Sequence, residues 1–300
     1  MTKNSSYIVM DVGGTFIKSG LISADGTLLD GSQHTVPIDS NGTKEEICNS
    51  LTAAVAQGIA LSRYFGYAPA GVGICMPGPF NYITGVSEMV HKFAAIKDLP
   101  LKEVISDALE GLDVPVVFGH DVNTQLYGEM CGGNARGYDN VCLVSLGTGL
   151  GFAMAQDGAV LQTETGSPLV SIWNLPYDGG ILEDYASKRG FYNTWKLVTG
   201  SMPPEDMTVA QMGSLAGDGD ATALEVFAKV GGFISTNIKQ YLKDYKISCL
   251  LFGGQISRSF KYMEDAVRKG LADIEGLTIT TVSDFSNAAF SGLAAMLNKA

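Results

Sequence analysis

Residues 7–29 read YIVMDVGGTFIKSGLISADGTLL, and residues 141–161 read VCLVSLGTGLGFAMAQDGAVL. Each stretch has an apolar run, a turn of glycines and a threonine, a second apolar run, an Asp-Gly pair and a third short run, at similar offsets. Apolar runs of strand length separated by glycine turns and Asp-Gly pairs form antiparallel meanders. The spacing predicts strand, tight turn, strand, turn, strand at both places, with Thr27–Leu29 as the third strand of the first copy. Its recurrence predicts an internal duplication.

Outward from the first meander, KEEICNSLTAAVAQGIALSRY (44–64) places apolar residues at helical spacing. AGVGICMPGPF (70–80) is a buried strand closed by Pro77-Gly78-Pro79. A helix is expected over 101–111, a strand over 114–118 and a helix from 124 to 130. After the second meander, helices are expected at 180–200, 207–216, 219–244, 257–270 and 287–298, and KISCLLFGG (246–254) is a buried strand entering a glycine turn. Strands interleaved with helices, twice, define an α/β protein of two duplicated β-β-β-α-β domains. The smaller is expected at 1–117 and the larger at 118–286.

Composition supports two buried cores: the 300 residues are 46% hydrophobic and only 17% charged, which excludes disorder. The 37 glycines follow no collagen-like period, so they serve turns and close backbone approaches. Against 31 acidic residues there are 20 Lys plus Arg, a net charge of −11, the wrong sign for nucleic acid or an anionic membrane. The apolar stretch in MTKNSSYIVMD is too short for a signal peptide, and no window is long enough to span a bilayer, so a cytoplasmic protein is expected. Cys48, Cys75, Cys131, Cys142 and Cys249 are odd in number and form no C-x-x-C pair, which fits reduced thiols.

The turns Asp11-Val12-Gly13-Gly14-Thr15 and Gly147-Thr148-Gly149-Leu150-Gly151 carry the functional signal. Without Cβ atoms, backbone N–H groups can close on an anion, and a threonine hydroxyl adds a donor. Two tight hairpins are the plainer reading of either turn alone; matched positions in two repeats weigh against it. There is no G-x-x-x-x-G-K-[ST], and GTGLGF leads into a strand rather than a helix, so neither a P-loop nor a dinucleotide fingerprint is present.

DVGGTFIKSGLI, GICMPGPF, HDVN with Gly128-Glu129, VSLGTGLGFAM and GGILEDYAS, in this order, resemble the ROK sugar kinases of the actin-like, hexokinase-type ATPase superfamily. The resemblance spans essentially the whole chain. It implies two domains around a cleft with ATP phosphates between the glycine turns and sugar at the bottom. The last helix, within 287–300, then completes the N-terminal domain. Asp11, Gly13, Gly14 and Thr15 would form one phosphate turn and Gly147, Thr148 and Gly149 the other, with Gly253 and Gly254 on the adenosine side. Asp121 falls at the family's catalytic aspartate, where phosphoryl transfer wants a base within reach of a sugar hydroxyl. Its rival reading is a helix N-cap. Glu164 and Glu183 match carboxylates that accept from sugar hydroxyls, although Glu183 also suits a helix N-terminus. Mg²⁺ with ATP and a homodimer are further implications of the resemblance.

Three departures bear on the substrate. His120 stands where the family has Asn, Gly166-Ser167 where it has Gly-His, and IWNLPYDGGILED replaces its cysteine-rich zinc segment. No structural zinc is expected, because Ser167 cannot replace an imidazole and no thiolate lies nearby. Trp173 and Tyr177 are expected to fill that volume. His120 either faces the sugar or orients Asp121, and Ser167 lines the sugar loop. His34 and His91 are surface or packing residues, and Lys18 a solvated strand lysine. The expected activity is ATP-dependent phosphorylation of a hexose or N-acetylhexosamine. The rival is a catalytically weak sugar-binding regulator without a DNA-binding domain, since only about six residues precede the first strand.

Overall fold

In the computed structural model, which describes residues 4–300, β1 (Ser5–Val12) is buried along nearly its whole length. β2 (Phe16–Ser23) returns antiparallel, pairing Val12 with Ile17 and Asp11 with Lys18. Thr27–Leu29 is not the third strand: only Leu28 makes a bridge there, to Ile22, and β3 (His34–Pro37) takes that place. The cause is local. Asp25 accepts from the Ser23 hydroxyl and the Thr27 N–H, Gly26 and Gly31 adopt φ of 90° and 72°, and Ser32 Oγ captures the Leu21 N–H. These short-range bonds close a turn where the apolar pattern alone suggests a ladder.

α1 (Lys44–Tyr64) follows, opened by a capping box in which Thr43 and Glu46 each accept the other's backbone N–H. β4 (Ala68–Cys75) lies parallel to β1, then a short ladder of β5 (Phe80–Asn81) and β6 (Val86–Ser87) and helix α2 (Leu101–Asp107) lead to β7 (Val116–Gly119), parallel to β4. α3 (Asp121–Gly132) begins directly after it, three residues earlier than its apolar spacing suggests. The sheet order is β3-β2-β1-β4-β7. Alternate residues of β1 serve two cores: Ile8, Met10 and Val12 pack with Ile47, Leu51 and Val55 of α1, while Tyr7 and Val9 pack with Phe290, Leu293 and Leu297. This period-two division explains why the strand is apolar on both faces.

The second sheet repeats the plan. β8 (Val141–Leu146), β9 (Leu150–Gln156) and β10 (Ala159–Val160) form the expected meander. After the short ladder of β11 (Pro176–Tyr177) and β12 (Gly180–Ile181) come α4 (Lys188–Thr199), α5 (Val209–Gly217), α6 (Ala221–Asp244), β13 (Cys249–Gly253), α7 (Glu264–Gly270), β14 (Thr278–Thr281) and α8 (Ala288–Leu297). The order β10-β9-β8-β13-β14 matches the first sheet strand for strand, with β13 and β14 parallel to β8 and to each other in sequence. Its core joins Val144, Leu146, Leu250 and Phe252 to Phe191, Phe227, Val230 and Ile234 of the helices.

The chain divides into a first unit, comprising the residues through Gly132 with 162–168 and Asn287–Ala300, and a second, Gly133–Leu161 with Leu169–Ser286. The division therefore falls after α3 instead of at residue 118. α3 and α8 meet at Gly128 and Gly292: a Cβ on Gly128 would lie 2.7 Å from the Gly292 nitrogen, and one on Gly292 would collide with the Thr124 carbonyl. Only bare backbone on both helices permits this approach. The 162–168 segment is fastened to the same unit by Asn123 Nδ2 donating to the Gly166 carbonyl and by the Tyr82 N–H donating to that of Thr165. Among the described residues no helix is long and apolar enough to cross a membrane.

Candidate active site

The carboxyl ends of parallel β1, β4 and β7 bring the first unit's chemistry to one edge. Asp11 pairs in register with Cys75, and Cys75 with Gly119, so Asp11 and the His120-Asp121 pair emerge at the same level from β1 and β7, the strands on either side of β4. Open α/β sheets place ligand sites at such ends. The His120 carbonyl accepts the Thr124 N–H at 2.9 Å, so His120 starts the helix and Asp121 is its first residue. Asp121 is thus released from the N-cap role, and its side chain is 71% exposed.

Asp121 Oδ1 lies 2.7 Å from the Val122 nitrogen and 2.8 Å from His120 Nδ1. The surrounding protein tends to raise the Asp121 pKa, but the adjacent His120, through hydrogen bonding and charge, and the Val122 N–H outweigh it and hold the carboxyl below the usual aspartate value. Asp121 is therefore ionised across the neutral range. The His120 ring meets the Tyr82 ring edge-on at 5.6 Å, and Tyr82 is itself held by its hydroxyl donating to the Met76 carbonyl.

Asp11 shows the opposite shift: burial, then the charge of Asp121, raise its pKa, and cross-strand Lys18 only partly offsets them. Lys18 is exposed on β2, the solvated strand lysine expected, and its charge acts on Asp11 from across the ladder. Because the folded state favours protonated Asp11, stability is unpenalised below the ordinary value of 3.8 and is lost as pH rises through the higher folded value. Asp11→Asn is expected to raise the melting temperature at pH 7, with the gain shrinking as pH approaches 4; equal gains at both pH values contradict this origin.

The first glycine turn is closed by the Gly13 N–H donating to the Phe16 carbonyl at 2.9 Å, and it is tied to the chain at Ile38 and Ser40 through the Thr15 and Gly14 carbonyls. Among the described residues the N–H groups of Gly14 and Thr15 meet no protein acceptor. In the second unit, the Gly147 N–H donates to the Gly149 carbonyl at 3.1 Å and the Leu150 N–H to Glu183 Oε2 at 3.0 Å, and among the described residues those of Thr148 and Gly149 meet no protein acceptor. Each turn thus offers two amides and a threonine hydroxyl to an anion.

Gly253 ends β13 beside Ser145 of β8. Gly254 has φ of 77°, and a Cβ there would collide with the Leu146 carbonyl, one residue before the second turn. Gly253 and Gly254 therefore adjoin Gly147 within the second unit.

Glu164 is exposed, and Ser167 is half-buried; both lie on the 162–168 loop that Asn123 and Tyr82 hold in the first unit. Within it the Thr163 N–H donates to the Ser167 carbonyl at 2.8 Å and Gly166 takes φ of 84° against Tyr82. Asp11, Gly13, Gly14, Thr15, His120, Asp121, Glu164 and Ser167 are all in the first unit, whereas Gly147, Thr148, Gly149, Glu183, Gly253 and Gly254 are in the second. Glu183 lies in a 3-10 turn, Leu182–Asp184, and does not open α4, whose N-cap is Ser187. Trp173 does not fill an interior volume, being 46% exposed; Tyr177 does pack, against Tyr185 and Phe233. Tyr82 and Asn123 were not singled out in the sequence: Asn123 lies in HDVN, but nothing local marks either as the anchor of a loop some 40 residues or more away.

Two five-stranded sheets of the same order, each led by a glycine turn, define the actin-like ATPase fold. The ROK family model matches residues 7–169, more than half of the chain, and the protein belongs to the ROK family. A glucokinase of Halalkalibacterium halodurans is 25% identical over 278 residues, covering 84% of this chain and 81% of the relative. Among solved structures, a ROK family glucokinase from Streptomyces griseus in complex with glucose and AMPPNP superposes with a TM-score of 0.78 at 21% identity, covering 99% of this chain and 100% of that one. A ROK family transcriptional regulator, a homologue of the E. coli MLC protein, superposes with a TM-score of 0.84 at 18% identity, covering 99% of this chain and 78% of that one.

Proposed function

We propose that the protein transfers the terminal phosphoryl group of ATP to a hydroxyl of a hexose or N-acetylhexosamine. The observation that carries this reading is Asp121: an exposed carboxylate at a strand's carboxyl end, 2.8 Å from His120 Nδ1, in the unit that also holds Glu164 and Ser167. Asp121 accepts the proton of the attacking hydroxyl, and His120 or Ser167 and Glu164 orient the sugar through hydrogen bonds. In the first unit the amides of Gly14 and Thr15, and in the second those of Thr148 and Gly149, suit phosphate oxygens, with Gly253 and Gly254 on the adenosine side of the second unit. With a net charge of −11, backbone dipoles suit this task where lysines and arginines are scarce.

Among the described residues no three His, Cys, Asp or Glu side chains converge to cage a metal ion. Asp11 and Asp121, which repel one another, fit Mg²⁺ held mainly by nucleotide phosphates, since that ion usually takes only one or two carboxylates. Mg²⁺ held there would neutralise phosphate charge. Among the described residues no cysteine is joined in a disulfide, which fits a reducing, cytoplasmic setting.

The likeness to a transcriptional regulator, together with the changes at His120 and Ser167, supports a second reading as a sugar sensor. Calorimetric titration of a panel of hexoses and N-acetylhexosamines, with and without a non-hydrolysable ATP analogue and beside a turnover assay, separates the two. A kinase binds and turns over at least one sugar of the panel; tight binding with no turnover of any of them favours the sensor.

A further inference from the structure

Tyr82 is buried, and it touches three segments of the first unit that lie far apart in the chain. Its N–H donates to the Thr165 carbonyl at 2.7 Å, in the middle of the 162–168 loop. The next residue of that loop, Gly166, lies so close that a Cβ there would be 2.9 Å from the Tyr82 Cβ. The Tyr82 ring meets the His120 ring edge-on at 5.6 Å, and its hydroxyl donates to the Met76 carbonyl at 3.0 Å. The Met76 N–H in turn donates to the Gly119 carbonyl, so Tyr82 reaches the end of β7 by two routes.

Its own turn fixes Tyr82 in place. Asn81 Oδ1 accepts the N–H groups of Ile83 and Thr84, and the Tyr82 ring packs against Phe80 at 5.1 Å. Burial, and then the charge of Asp121, push the Tyr82 pKa above its usual value, so the hydroxyl stays protonated and keeps its bond to Met76. The loop bears Glu164 and Ser167, whereas His120 lies 2.8 Å from Asp121 Oδ1, and Tyr82 contacts both the loop and His120. Sugar-orienting groups and a base must keep a fixed register, because misplacement by about 1 Å can cost about 100-fold in rate.

We infer that Tyr82 is a positioning residue, whose buried ring holds the 162–168 loop and His120 in one arrangement and so presents the sugar to Asp121. This rests on the kinase reading above. Calorimetry with the tightest-binding sugar of the panel, beside kcat, compares two variants below their melting transitions. Tyr82→Phe removes the hydroxyl and keeps the ring, whereas Tyr82→Leu keeps apolar bulk and removes the ring. Both lose the bond to Met76, so both melt at a lower temperature than wild type. Sugar affinity and kcat stay within about threefold of wild type in Tyr82→Phe, and each falls about tenfold or more in Tyr82→Leu. Amide exchange across 163–167, measured without any ligand, is faster in Tyr82→Leu than in Tyr82→Phe. A third variant, Gly166→Ala, pushes a Cβ against Tyr82 from the loop side and leaves the tyrosine intact. The ring resonances of His120, one of three histidines, then shift in the ligand-free protein.

Equal sugar affinity and kcat in Tyr82→Phe and Tyr82→Leu overturn the inference and leave the kinase reading standing. Wild-type protein that binds no sugar of the panel removes the sugar reading of the loop, and the positioning role with it. Should Tyr82→Leu fail to fold, the His120 resonances decide the matter: if they do not move in Gly166→Ala, the loop and His120 are not coupled through Tyr82 and the inference is overturned.

Discussion

Asp121→Asn abolishes most turnover while leaving sugar and nucleotide affinities within a few fold of wild type. The substitution keeps shape and hydrogen-bonding capacity but removes the group that accepts the hydroxyl proton, a contribution of ~10² to 10⁴ in rate. His120 and the Val122 N–H currently stabilise the ionised carboxylate, so the neutral amide also loses that support. Because Asp121 is the first residue of α3 and 71% exposed, the change removes no core packing, and the fold is retained. Steady-state kinetics beside two separate titrations read the split between kcat and binding. Turnover within about threefold of wild type removes Asp121 from the role of base.

Gly292→Ala is expected to damage the first unit severely. The added Cβ would meet the Thr124 carbonyl on α3, a backbone atom that cannot rotate away, and the reciprocal position, Gly128, is also close, at 2.7 Å from the Gly292 nitrogen. Relief requires α8 to move off α3, which pulls Leu293, Ala294 and Leu297 away from Tyr7 and Val9. Overpacking of this kind costs about 3 kcal/mol. Since Asp121 opens α3, the displacement also disturbs the base, so both stability and turnover fall. A melting temperature within a degree of wild type contradicts the helix packing described here.

Legibility from the sequence followed the range of the forces involved. Both meanders could be read because the apolar runs and glycine turns are local, and α1 begins at Lys44 as expected because the Thr43–Glu46 capping box is local too. The third strand of the first copy could not, since the turn at Asp25 and Ser32 is decided by side-chain bonds that leave the apolar pattern unchanged. β14, TITT, was missed: four residues with one isoleucine give little pattern until β13 pairs with them. The division after α3 arises from the contact between Gly128 and Gly292, more than 160 residues apart in the chain. At the site, residue identities pointed to the two turns and to Asp121. The contacts of Glu183 with Leu150, and of Asn123 with Gly166, depend on distant segments meeting and leave no local signature.

The central claim is phosphoryl transfer to a sugar, and phosphorus NMR of the purified protein with Mg²⁺, ATP and each sugar of the panel tests it most directly. The account predicts a sugar-phosphate resonance growing in step with ADP for at least one hexose or N-acetylhexosamine. ATP that stays intact while sugar is bound, or that is hydrolysed to inorganic phosphate at the same rate with and without sugar, would contradict it.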